Sequence, residues 1–118
     1  MVSERAIPND QRNGYLETTG RKSGLPRETE IWYFAEGDTI FILSGYHNNK
    51  DWVKNFLAKP AVRFRIGNQW FSGTARFLEN DADRELYARQ SLVRKYHGTS
   101  ELNEWGRSGS IVEISIDD

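Results

Sequence analysis

The chain has 118 residues, enough for one domain and one hydrophobic core but not for two. Its 16 basic side chains against 17 acidic ones leave a formal net charge of -1, which excludes bulk attraction to nucleic acid or an anionic membrane, so any anion binding must come from a local cluster. The absence of cysteine excludes disulfides, thiolate metal sites and cysteine nucleophiles, and no apolar run approaches the ~20 residues of a spanning helix, so the expectation is a soluble, cytoplasmic protein.

Residues 1–13 mix polar residues without periodicity and read as an N-terminal arm, mobile or a short helix, ahead of one domain over 14–118. A strand is expected from Gly14 to Thr19, followed by Gly20-Arg21-Lys22-Ser23-Gly24-Leu25-Pro26-Arg27, whose glycines and proline make a hairpin with a basic tip. Arg27 to Ala35 continues as a strand rich in β-branched and aromatic residues, and Glu36-Gly37-Asp38 turns it into another over Thr39 to Ser44. From Asp51 to Lys59 the period changes: Trp52, Val53, Phe56 and Leu57 form one helical stripe, with Asp51 as its expected cap and Pro60 at its end. Val62, Phe64 and Ile66 alternate with Arg63 and Arg65, and Gly67-Asn68 turns this strand into Gln69 to Leu78. Asn80 or Asp81 caps a longer helix to about Tyr96, and Ser110 to Ile116 alternates as the last strand. Six strands joined mainly by tight turns, with two inserted helices, predict a mainly β (α+β) fold: an antiparallel six-stranded barrel with helices at its mouths.

The basic tip is the most informative local feature. Arg21, Lys22 and Arg27 lie within seven positions beside Gly20 and Gly24, with no acid from Gly20 until Glu28. Glycines let backbone amides approach an oxyanion, and arginine adds a planar fork that fits phosphate or carboxylate. The spacing is not that of a nucleotide P-loop, and a solvated surface hairpin carrying the same cations would read alike. Trp32, Tyr33, Tyr46 and Trp52 offer flat rings for a flat ligand, although alternation puts Trp32 and Tyr33 on opposite faces and makes one of them core. His47 lies in a polar loop, but no histidine pair has metal-ligand spacing, and Ser44 has no nearby triad partners, so neither metal nor serine-hydrolase chemistry is expected. A chain without a catalytic set of its own fits a protein whose cofactor performs the chemistry.

The run Leu16 to Arg27 followed by Trp32-Tyr33 resembles the signature hairpin of the deazaflavin-dependent nitroreductases, also called the coenzyme F-420-dependent quinone reductase-like family. Trp52 with Asn55, Leu57-Ala58, Pro60 with Val62, and Thr74-Ala75-Arg76 continue the likeness in order, over roughly residues 14–97. The resemblance implies a split β-barrel oxidoreductase in which reduced deazaflavin donates hydride to a quinone, nitro compound or activated alkene. It implies that Arg21, Lys22 and Arg27, with Ser23, Gly24 and Pro26, hold the cofactor's phosphate and acidic tail. It also implies that Ser44, Gly45 and Trp52 border its ring, with Trp32, Tyr33, Tyr46, His47 and Tyr96 as weaker candidates for the acceptor pocket. Where the family commonly carries paired Gly with Lys and Pro before Trp52, this chain has Gly45-Tyr46-His47-Asn48-Asn49-Lys50-Asp51, and beyond Tyr96 it offers His97, Leu102 and Trp105 in place of a Tyr-rich segment. Two other readings stand beside this one: a split-barrel reductase using FMN, and a non-catalytic barrel that binds a hydrophobic ligand. A monomer and a homodimer are both compatible with the chain.

Overall fold

Alternation along the chain sets which face each strand buries. The computed structural model describes residues 6–45, 50–99 and 101–117. In β1 (Gly14–Thr19) Leu16 and Thr18 point inward while Tyr15 and Glu17 are half-exposed, and in β5 (Ala61–Ile66) Val62, Phe64 and Ile66 are buried between Arg63 and Arg65. β6 (Gln69–Phe77) follows β5 through the Gly67-Asn68 turn, so that Phe64 faces Phe71 across one ladder and Leu16 across the other. These three side chains are at most 1% exposed and form a rung of the core.

Among the described residues seven strands form, not six. The expected single strand from Arg27 to Ala35 is broken into β2 (Pro26–Ile31) and β3 (Phe34–Glu36), while β4 (Thr39–Leu43) and β7 (Ile111–Ile116) lie close to their expected positions. All pairings are antiparallel, in the order β2-β1-β5-β6-β7-β4-β3. The two edge strands, β2 and β3, are consecutive in the chain and separated by Trp32 and Tyr33 alone, which can span only about 11 Å. The sheet therefore curls until its edges meet, and the broken strand closes the barrel.

The break has a physical cause. At Tyr33 no ladder partner satisfies the backbone; side chains of α2 (Ala82–His97) do so instead. The Tyr33 amide donates to the Tyr96 hydroxyl (2.9 Å) and Lys95 Nζ donates to the Tyr33 carbonyl (2.9 Å). Tyr33 itself turns fully into the core, its ring edge-on to Phe64. Residues 6–13 form no helix or strand, but they are tied down. Asn9 exchanges two hydrogen bonds with the Ala35 backbone, Tyr33 Oη donates to the Pro8 carbonyl and Tyr96 Oη to that of Arg12.

Both helices seal apolar surface. α1 (Asp51–Ala58) sends Trp52, Val53 and Phe56 into the barrel core, each burial stabilising by about 1.5–3 kcal/mol. Asp51 does not cap it, contrary to expectation: Lys50 holds the cap position, and Asp51 is the first helical residue, where its charge still favours the helix dipole. Asp81 does cap α2, accepting from the Arg84 amide (3.0 Å), and Gly98 closes it in the left-handed conformation. α2 covers the outer face of β4 and β7. Those strands are consequently buried on both sides, Ile40, Ile42, Val112 and Ile114 inside the barrel and Phe41, Leu43 and Ile111 beneath α2. Glu113 is buried on that outer face as well. It accepts from Arg76 (2.7 Å) and from Arg84 of α2 (2.7 Å), fastening the helix to the sheet. Burial acts to raise the Glu113 pKa, but the two arginines outweigh it and hold the carboxyl below the usual range.

Candidate functional site

The β1–β2 hairpin is tightened by Gly20 N donating to Leu25 O and Gly24 N to Gly20 O, both at 2.8 Å, and Gly24 sits at φ +73°, where a side chain would be strained. This tip faces the first turn of α1. Asn55, only 4% exposed, joins the two: its Oδ1 accepts from both Arg21 N (3.1 Å) and Arg21 Nη1 (2.9 Å), while its Nδ2 donates to the buried Thr18 hydroxyl (3.3 Å). Arg21 Nη2 reaches Asp51 at 3.4 Å.

Between hairpin and helix lies a cleft of about 520 Å³, with Arg21, Lys22, Ser23 and Arg27 on the hairpin side and Asp51, Trp52 and Asn55 on the helix side. Among the described residues Lys22 and Arg27 have no acidic partner. A second cleft of about 380 Å³ adjoins it, because Thr29 and Trp52 line both. Its character is different: Trp32, Trp105, Leu43 and Ile31 supply apolar wall, with Gly45 and Lys50 on the α1 side. Trp32 is packed there, stacked on Tyr96 at 4.2 Å and 3°, edge-on to Trp105 at 5.3 Å, with the Arg12 guanidinium 5.1 Å from its ring centre. The pair of clefts thus offers a cationic end and an aromatic end to one elongated ligand. Among the described residues no cluster of His, Asp and Glu converges as a metal site would.

The structure brings together most of the expected site. Arg21, Lys22, Ser23 and Arg27 line the first cleft, Gly45 and Trp32 the second, and Trp52 both. Gly24 and Pro26 shape the hairpin without lining either cleft. Ser44 lines neither: it is fully buried, its hydroxyl accepting from Ser110 N (2.8 Å), and it anchors the backbone that leads into Gly45. Tyr33 is core, and Tyr96 stacks behind Trp32; burial raises both phenol pKa values and lowers that of Lys95 to about 8. Tyr46 and His47 lie outside the described residues. Asn55, Thr18, Thr29 and Trp105 join the site without having been assigned to it. Asn55 carried a readable signal, a lone amide three residues after Trp52 on the buried side of a helix; Trp105 carried one only as a ring standing where the family has its Tyr-rich segment, and Thr29 carried none, because sheet register brings it in.

The chain is similar to known proteins in sequence and in fold. Residues 7–104 match the family described as "F420H(2)-dependent quinone reductase". The "F420H(2)-dependent quinone reductase Rv1261c" of Mycobacterium tuberculosis is 33% identical over 115 residues, covering 93% of this chain and 75% of that protein. Among solved structures, an F420-H2 dependent reductase superimposes with a TM-score of 0.68 at 20% identity, covering 94% of this chain and 100% of the other. The heme storage protein HutZ from Vibrio cholerae does so with a TM-score of 0.69 at 13% identity, covering 92% of this chain and 84% of the other. The barrel alone therefore does not choose a ligand. The family match over residues 7–104 identifies the family: this split-barrel chain belongs to the F420H(2)-dependent quinone reductases, which are oxidoreductases.

Proposed function

We propose that the chain binds coenzyme F-420 across the two adjoining clefts and passes hydride from its reduced form to a quinone, with nitro compounds and activated alkenes as further acceptors. The observation that carries this reading is the continuity of a cation-lined cleft with an aromatic-walled one through Thr29 and Trp52. The donor set fits the group: Lys22 and Arg27, short of acidic partners among the described residues, suit a phosphate and carboxylates, and Arg21 offers a fork whose position Asn55 holds. When bound, the deazaflavin supplies the hydride chemistry. The chain supplies the rest. Its hairpin cations bind and orient, Trp52 and Gly45 border the ring region, and Trp32 and Trp105 wall off water from one side of the second cleft. FMN, with a single phosphate, would use fewer of these cations.

Titration of the purified protein with oxidised coenzyme F-420, followed by cofactor fluorescence and protein melting, tests this directly. We expect micromolar or tighter binding, selective over FMN, and quinone-dependent reoxidation of the reduced cofactor. Selective FMN binding, or silence from both, would overturn it.

A further inference from the structure

Arg21 is held on two sides by unlike groups. The Asn55 amide is buried and pinned by Thr18, so it fixes the guanidinium in place while leaving its charge undiminished. The Asp51 carboxylate is 87% exposed, projects from the first turn of α1 and makes one long contact of 3.4 Å with Nη2. It is the acidic member of an otherwise cationic wall. Its contact draws on Nη2, the amino group that the Asn55 bonds leave over. An anionic ligand group that comes to Arg21 shares the guanidinium with Asp51, and it meets that carboxylate's repulsion as it arrives.

We infer that Asp51 is an internal competitor for the anion subsite, setting affinity downward, and that Asn55 is a positioning residue that acts through Arg21. The inference rests on the cofactor reading given above. Its functional consequence is exchange: a cleft that returns Arg21 to an internal carboxylate releases a multiply charged ligand faster than one that leaves the guanidinium bare.

The test is a double-mutant cycle on the full chain, reading dissociation constants and off-rates for oxidised coenzyme F-420 by fluorescence, with tripolyphosphate as a second, ring-free probe read by thermal shift. Asp51→Asn changes an exposed residue and should tighten binding by roughly threefold to tenfold, mainly through a slower off-rate. Asn55→Ala should weaken it by about tenfold, the scale of a lost hydrogen bond to a charged group. In an Arg21→Ala background the Asn55 effect should vanish, and the Asp51 effect should shrink to what direct repulsion of the anion leaves. Unchanged or weaker binding by Asp51→Asn would overturn the competitor role, and an Asn55→Ala loss of equal size without Arg21 would reduce Asn55 to a fold residue. If the wild type binds tripolyphosphate but not the deazaflavin, the cofactor reading fails and the Asp51 effect is still read on the polyphosphate. If it binds neither, the anion subsite itself is refuted and the inference with it.

Discussion

Two sets of cations sit close together on the curled sheet, and the chain treats them in opposite ways. On the outer face, Arg63 makes a paired contact with Glu17 (2.9 and 3.1 Å) and lies 4.0 Å from the Trp70 ring centre. Its neighbour Arg65 reaches Glu28 at 3.1 Å and lies 4.2 Å from the Tyr15 ring centre. At the hairpin tip, Arg21 shares one exposed carboxylate, and Lys22 and Arg27 have no acidic partner among the described residues. Residue types are alike in the two regions, so counts of Arg and Lys do not tell them apart. What separates them is pairing: a cation with both a carboxylate and a ring stabilises the sheet, while one short of counter-charge beside a cleft is available to a ligand.

The comparison can be broken most forcefully at the tip. Arg21→Ala with Lys22→Ala should remove about 3 kcal/mol or more of coenzyme F-420 binding, given 1.5–3 kcal/mol for each charge-assisted contact. The melting temperature should barely move, and a fluorescence titration beside a melt separates the two. A buried carboxylate far from the clefts should behave inversely. Glu113→Gln strands two arginines against the sheet and should cost about 2–3 kcal/mol of stability, below the range for fully buried pairs because both arginines reach solvent, with ligand affinity unchanged. The sign with pH follows from its depressed folded-state pKa. The Glu113 contribution is present above the ordinary carboxylate range and is lost as pH falls through that range toward the folded value. Urea unfolding at stepped pH should therefore show a flatter acid limb in the variant than in the wild type. The smallest effect belongs to the outer ladder: a double-mutant cycle on Glu17 and Arg63 should give a coupling of about 0.5–1 kcal/mol, shrinking with salt, and no change in cofactor binding.

Much of this was legible along the chain, and the exceptions share a cause. The strands β1, β5 and β6 were readable because one face of each meets solvent, so apolar and polar residues alternate. The break at Trp32–Tyr33 was not, since it depends on Tyr96 and Lys95, more than 60 residues away, satisfying the Tyr33 backbone. The basic tip was readable from its glycines and cations. Ser44 looked equally eligible as a ligand group, yet its hydroxyl is taken by Ser110 N, a partner 66 positions along the chain. A further close approach lies beside it: Gly109 passes so near the Gly45 carbonyl that a Cβ there would fall 1.8 Å from the oxygen.

By itself, then, the sequence determined the local matters: periodicity marked the strands and helix faces, turn residues marked the hairpins, and clustered Arg and Lys marked the basic tip. Tertiary structure alone decided which of those cations remain short of counter-charge, and how the broken strand closes the barrel. It alone made Asn55 and Asp51 the two hands on Arg21, and set Trp105 against Trp32 in the second cleft. The physical reason is range. Periodicity and turn chemistry act over a few residues, whereas ion pairing, ring stacking and backbone satisfaction act between groups that only the folded chain brings within a few ångströms.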